Sequence, residues 1–201
     1  MKKIPTIFER DWDGDRSRVL DKPTPAHAEI ALALPTRKWD GAAALVRGGE
    51  LFKRYNLRPG KRAPRDFDLV DTDAETGKQF GWVPVGDGPE DQWFRQAEMP
   101  KLDGTYELIG PKVNGNPEGY DEHCLMLHGA EVLPGMSTTF RGIRRFLAEH
   151  EIEGIVWWGW RNEEASYVPV AKIKRRDFGL EWPVRRDDEQ HPPSPEPVEP
   201  A

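Results

Sequence analysis

The chain has a single cysteine, Cys124, among its 201 residues, which excludes an internal disulfide and any zinc site built from paired cysteines. That usage suits a reducing compartment, so a cytoplasmic location is expected. No run approaches the roughly 18 to 20 consecutive apolar residues that a membrane helix requires, and the opening stretch from Met1 to Asp15 lacks the apolar core of a secretory signal. A soluble protein with no membrane partner is therefore expected. No P-loop pattern is present, so any nucleotide is held in another way, and the five histidines show no zinc-ligand spacing. Base also falls short of acid, with a net charge of −6.

The charge deficit is concentrated at one end. The last fifteen residues hold five acids and no Lys or Arg, which leaves 29 basic against 30 acidic residues in the remainder. From Asp187 onward, proline and acid with little to bury predict a disordered tail over 187–201, and residues 1–186 read as one folded domain. Its 20 aromatic residues, eight of them Trp, supply large side chains for a core. Local charge is strongly patterned: Lys53, Arg54, Arg58, Lys61, Arg62 and Arg65 fall within thirteen residues, and Lys172, Lys174, Arg175 and Arg176 within five. Such runs are ordinarily solvated faces, but here they flank candidate chemistry and favour a polyanionic substrate.

Prolines spread along the chain keep regular elements short. Ala42 to Val46 and Leu51 to Tyr55, joined through Gly48-Gly49, predict an antiparallel hairpin. Further strands are expected at Phe80 to Val85, Thr105 to Ile109, Cys124 to His128, Gly154 to Trp158 and Tyr167 to Lys174. One amphipathic helix is expected from Thr138 to His150, capped by Ser137 or Thr138, with Phe140, Ile143, Phe146 and Leu147 on its apolar side. Many strands and few helices predict an α+β domain of antiparallel sheets.

The most informative segment is Thr36-Arg37-Lys38-Trp39-Asp40-Gly41, just before the hairpin. In extended chain, positions i and i+2 project to one side, so Lys38 and Asp40 can face one pocket while Gly41 admits close backbone approach. Alone, such a string also describes a surface turn. Further along the chain come, in order, Lys53-Arg54, Glu107 in Tyr106-Glu107-Leu108-Ile109-Gly110, Glu153 in Glu153-Gly154-Ile155-Val156-Trp157, and Lys172 with Lys174 in Ala171-Lys172-Ile173-Lys174.

This series resembles the five colinear motifs of the covalent nucleotidyltransferases, the superfamily of polynucleotide ligases and capping enzymes. Gly81-Trp82-Val83-Pro84-Val85, Asn114-Gly115-Asn116-Pro117, Leu127-His128-Gly129-Ala130 and Gly179-Leu180-Glu181-Trp182-Pro183 narrow the resemblance to the stand-alone ATP-dependent 5'-3' RNA ligases known from vertebrates. The similarity extends from about Ile4 to Pro183. It implies a nucleotidyltransferase fold, an ATP-grasp-like adenylation domain of antiparallel sheets around an ATP cleft. It also implies joining of RNA 5'-phosphate and 3'-hydroxyl ends through a lysyl-AMP intermediate, in RNA repair.

Under that resemblance Lys38 is the nucleophile, which must lose its proton to attack the α-phosphorus of ATP. An ordinary lysine keeps it, with a pKa of about 10.4, unless burial or nearby cations intervene. Lys172 and Lys174, spaced to share one strand face, would supply those cations and hold the triphosphate; the other account is an edge strand guarded by lysines. Glu153 is the candidate ligand for magnesium, or manganese in its place. Glu107 is implied to bond the ribose and Arg54 a phosphate. Either glutamate would otherwise be an ordinary strand-end charge. Asp40 holds either Lys38 or a metal-bound water, and His128 either faces the adenine or is structural.

Two rivals stand beside this reading. Only 27 residues come after Lys174, too few for the OB domain that DNA ligases and capping enzymes carry there, which weighs against those enzymes but leaves a minimal DNA ligase. A non-catalytic RNA-end-binding module is the rival from outside enzymes. Asp11-Trp12-Asp13-Gly14-Asp15 is acidic but spaced wrongly for an EF-hand, and reads as a turn, while Trp157, Trp158 and Trp160 read as core and rim packing, with base stacking as the alternative.

Overall fold

In the computed structural model, residues 3–161 and 166–184 are described; the expected tail at 187–201 lies outside them. Eleven strands and three short α-helices form, in chain order, β1 (Phe8–Arg10), β2 (Val19–Pro23), α1 (Pro25–Glu29), β3 (Leu34–Lys38), β4 (Ala42–Arg47), β5 (Glu50–Leu57), β6 (Asp68–Thr72), β7 (Gln79–Pro84), α2 (Gln92–Gln96), β8 (Gly104–Ile109), β9 (Cys124–Leu127), α3 (Phe140–Glu149), β10 (Gly154–Arg161) and β11 (Ser166–Lys174) among the described residues. They make a two-stranded sheet of β1 and β2, a three-stranded sheet ordered β11-β10-β3 and a six-stranded sheet ordered β6-β7-β5-β4-β8-β9. Every pairing between these strands is antiparallel, the α+β architecture that the strand pattern predicts.

The hairpin of β4 and β5 turns at Gly48 and Gly49, with φ of 61° and 78°. A two-residue turn with positive φ at both positions matches the right-handed twist of its strands, and glycine adopts it without a Cβ penalty. Strand alternation then sorts the side chains. On β5, Lys53 pairs across from Ala44 and joins the core face, where its ammonium meets Asp91. Arg54 therefore points the other way.

Two cores result. On one face of the three-stranded sheet, Ile155, Trp157, Ala171 and Ile173 pack with Ile143 and Leu147 of α3 and with Ile7, Phe8 and Phe178. Beneath the six-stranded sheet, Ala44, Val46, Tyr106 and Leu108 pack with Phe94 of α2. The free faces of the two sheets are left to build a cleft. Trp157 is core, with 1% exposure, whereas Trp160 is 63% exposed.

Several boundaries differ from the sequence expectation. The helix begins at Phe140 and its cap is Thr139, whose hydroxyl accepts from Gly142 N at 3.1 Å, while Ser137 supports it by accepting from Thr139 N. At its other end Arg175 donates to the carbonyls of Leu147 and His150, satisfying terminal acceptors that the helix cannot. β9 stops at Leu127, one residue short of His128. The β1–β2 pair, β6, α1 and α2 had no periodicity long enough to announce them. The acidic Asp11 segment is a turn, with the Asp11 carboxylate accepting from Gly14 N at 2.9 Å.

Leu147 is fully buried at the centre of the first core. Leu147→Ala is expected to lower unfolding free energy by about 2 to 5 kcal/mol, and Thr139→Ala by about 1 kcal/mol through loss of the cap, both read by urea denaturation.

Candidate active site

Register brings the lysines together. Gly154 of β10 lies opposite Lys38 of β3 on one side and Lys174 of β11 on the other. Two strand spacings, about 9.5 Å, separate the outer backbones, and both side chains turn inward to the residue just before Gly154. That residue is Glu153, only 2% exposed. Its Oε2 accepts from Lys38 Nζ at 2.5 Å and its Oε1 from Lys174 Nζ at 2.5 Å, with Arg176 3.9 Å away. Lys38 Nζ also donates to the Trp39 carbonyl at 3.2 Å. Gly154 is required by crowding, since a Cβ there would collide with the Ile173 carbonyl oxygen.

Lys172, opposite Val156, shares the face of Lys174. It is pushed down from 10.5 to about 8, first by burial and then by the charges of Lys174 and Lys38, with Glu153 acting in the opposite sense. Glu153, and after it Asp177, only partly offset the cations at this end of the cleft.

The six-stranded sheet contributes the facing wall. Ala43 and Glu107 are cross-strand partners, and Glu107 Oε1 accepts from Gly41 N at 3.2 Å. A Cβ at Gly41 would collide with the Leu108 carbonyl oxygen, so glycine lets the chain pass from β3 into β4 against this wall. Glu107 Oε2 lies 2.8 Å from His128 Nε2. A carboxylate only accepts, so Nε2 is the donor. Arg54 lies over the Phe80 ring, 5.0 Å from its centroid, and burial pushes its guanidinium below its ordinary value, with Glu107 and Asp71 opposing.

Between these walls is a cavity of about 170 Å³ lined by residues that include Lys38, Arg54, Glu107, His128, Trp158, Lys172 and Lys174. Six of the eight residues named from sequence line it, and Glu153 holds two of those six. Among the described residues, five side-chain polar atoms are buried without a partner, and four of them, Arg37 Nε, Arg54 Nε, His128 Nδ1 and Trp158 Nε1, belong to residues lining this one cavity. Buried polar groups are normally satisfied, so this concentration singles out the cavity as the candidate site. A larger, more open depression of about 1070 Å³, lined by Trp93, Tyr106 and His123 among others, gathers none of the eight.

Asp40 is placed elsewhere. Its carboxylate accepts from Trp182 Nε1 at 2.8 Å and Asn114 Nδ2 at 3.0 Å, and its backbone N–H donates to Glu118 Oε1 at 2.7 Å. The expectation that Lys38 and Asp40 share a pocket does not hold, because the strand ends at Lys38 and alternation ends with it. Glu118, whose other oxygen accepts from Arg37 at 2.6 Å, is held above the usual carboxylate range mainly by burial. Trp182 and Asn114 lie in segments notable in the sequence, but their contacts to Asp40 span 142 and 74 residues and left no local signal. Trp158, expected in packing, borders the cavity.

Both Glu153 oxygens accept from lysines in this arrangement, and each keeps a further lone pair by which the carboxylate would hold a magnesium ion. No group of three His, Cys, Asp or Glu side chains gathers among the described residues.

No family model matches the sequence. Curated proteins named RNA ligase 1 do match. The chain is 24% identical to the one from Pongo abelii over 277 aligned positions, covering 91% of this chain and 82% of that protein. It is 23% identical to the one from Danio rerio over 273 positions with the same coverage, and 35% identical to the one from Rattus norvegicus over 96 residues, 41% of this chain.

Lys172 gives a test that needs no substrate. Its folded-state pKa of about 8 lies below the ordinary 10.5, so between those pH values the unfolded chain binds more protons and stability rises with pH; at pH 7 the penalty is fully present. Lys172→Met is expected to stabilise the protein at pH 7 by up to about 3 kcal/mol. That gain should shrink as pH rises through the window in paired urea denaturations.

Proposed function

We propose that this chain, related over nine-tenths of its length to the RNA ligase 1 proteins, is an ATP-dependent RNA ligase that joins 5'-phosphate to 3'-hydroxyl ends through a lysyl-AMP intermediate. The observation that carries this is the lysine pair on one buried glutamate, at the mouth of a cavity whose walls hold four unsatisfied polar atoms. The cavity is smaller than the roughly 300 Å³ at which whole-ligand sites begin. It suits a planar base with part of its sugar, leaving the phosphates at the lysine end. Glu107 then meets the ribose, and His128, Trp158 and Arg54 offer their free atoms to the base and sugar edges.

In the first step Lys38 Nζ bonds to the α-phosphorus of ATP, the bond to the pyrophosphate oxygen breaks, and pyrophosphate leaves. Nζ must first lose a proton, and Glu153 Oε2, 2.5 Å away, is the group placed to receive it. Lys172 and Lys174 offset the charge that develops on the phosphates, the main demand of phosphoryl-type transfer. In the second step an oxygen of the RNA 5'-phosphate displaces Nζ from the adenylate phosphorus. In the third the RNA 3'-hydroxyl attacks that 5'-phosphorus and AMP leaves. A magnesium ion bound to the triphosphate would add charge neutralisation.

The decisive measurement is intact mass after incubation with ATP and Mg²⁺: wild type should gain one AMP and Lys38→Ala none. Lys172→Ala and Lys174→Ala should each slow adduct formation by about 100-fold or more. An adduct surviving in Lys38→Ala would move the nucleophile elsewhere. Stronger labelling from GTP than ATP would point to a capping-type enzyme, and joining of DNA ends in preference to RNA would point to a minimal DNA ligase.

A further inference from the structure

We infer that the loop joining β5 to β6 is a phosphate track that holds the RNA strand beside the cleft mouth, an assignment that rests on the ligase proposal above. Arg58, Lys61, Arg62 and Arg65 are all exposed, four cations within eight residues. Among the described residues Arg58, Lys61 and Arg62 form no ion pair; Arg65 has a 3.5 Å contact with Asp66, with side chains 95% and 66% exposed, where such pairs contribute little.

Position gives this patch its meaning. Ala44 of β4 pairs with Lys53 of β5, so β5 runs on past the start of β4 and ends at Leu57, opposite Gln79 of β7. The loop therefore leaves the six-stranded sheet at the end where the chain enters it from Lys38 through Gly41. At that end the turn between β6 and β7 comes up to the loop: a Cβ on Gly77 would lie 3.4 Å from Pro59 Cγ, and the next residue, Lys78, is exposed. Exposed Asp66 and Glu75 flank these cations; of the other acids in the stretch, Asp68 is paired with Arg47, Asp73 with Lys3, and Asp71 lies on β6 toward Arg54.

The cleft cannot hold the polymer itself, because its enclosed volume is about 170 Å³ and two of its lysines are already committed to Glu153. A strand presenting its end to Lys38 carries a negative charge at every nucleotide beyond the cleft, and arginine's planar fork of donors suits phosphate oxygens. The other run of exposed arginines, Arg141, Arg144 and Arg145, belongs to α3, which packs on the far face of the three-stranded sheet. It has similar charge in the wrong place and serves as an internal control.

The test compares full-length wild type, a loop variant with Arg58→Gln, Lys61→Gln, Arg62→Gln and Arg65→Gln, and a helix variant with Arg141→Gln, Arg144→Gln and Arg145→Gln. Binding of a short 5'-phosphorylated single-stranded RNA is followed by fluorescence anisotropy across a salt series. Each phosphate contact on a single strand contributes about 0.7 to the slope of log K against log salt, so the loop variant should lose about 2 to 3 from that slope and bind at least about tenfold more weakly. The helix variant should match wild type, and the loop variant should still form the AMP adduct at the wild-type rate. Wild-type affinity and slope in the loop variant, an equal loss in the helix variant, or a failed adduct in the loop variant would each overturn the assignment. A wild type that binds RNA but forms no adduct would sink the ligase proposal and leave the binding comparison to decide the loop's role.

Discussion

One buried carboxylate organises this protein's candidate site. Glu153 is shared by Lys38 and Lys174, which arrive from strands on either side of β10 and meet only because the three strands are in register at Gly154. Removing one partner from a buried ion pair strands the other charge at a cost of roughly 3 to 5 kcal/mol, so the three groups act as a unit. They fix the ammonium of Lys38 in the lining of the cavity and tie β3 to β10 and β11. A slip of one residue in either pairing would turn Lys38 or Lys174 toward the apolar face occupied by Ile155 and Ile173.

The two sheets divide the work. The three-stranded sheet brings Lys38, Lys172 and Lys174, while the six-stranded sheet brings Arg54 and Glu107, with His128 just past the end of β9. Glu107 ties the sheets together, since it accepts from Gly41 in the segment leaving Lys38 and from His128 beyond β9. On the outer side of the same segment, Asp40 and Glu118 fasten it to Trp182, Asn114 and Arg37. Lys38 thus leads into a stretch of backbone held on both flanks, which keeps its ammonium within a narrow range of positions.

Much of this was legible in the residues, and what was missed has a common cause. Alternation on β11 was enough to put Lys172 and Lys174 on one face, and the Gly48-Gly49 turn was enough to define the central hairpin. Asp40 was misplaced because period-two reasoning was extended past Lys38, where the strand ends and the chain crosses between sheets. Glu118 and Trp182 could not be given roles, since their partner lies 78 and 142 residues away and no local pattern encodes that distance. The short elements α1 and α2, five residues each, have too few turns to show a helical period.

Lys172 shows what such a site costs the fold. Packing alone would favour an apolar residue beside Val156, and a lysine that needs only solubility would reach water and keep its ordinary affinity for protons. Here neither holds: the side chain is largely buried, pushed down to about 8, and feels two further lysines that Glu153 and Asp177 only partly offset. Excess positive charge in an enclosed space is unfavourable until an anion enters, and an anion with several charges relieves more of it than one with a single charge. A strand that carries this penalty in a cavity with unsatisfied polar atoms on its walls supports the proposed nucleoside triphosphate, a ligand polar at one end and polyanionic at the other.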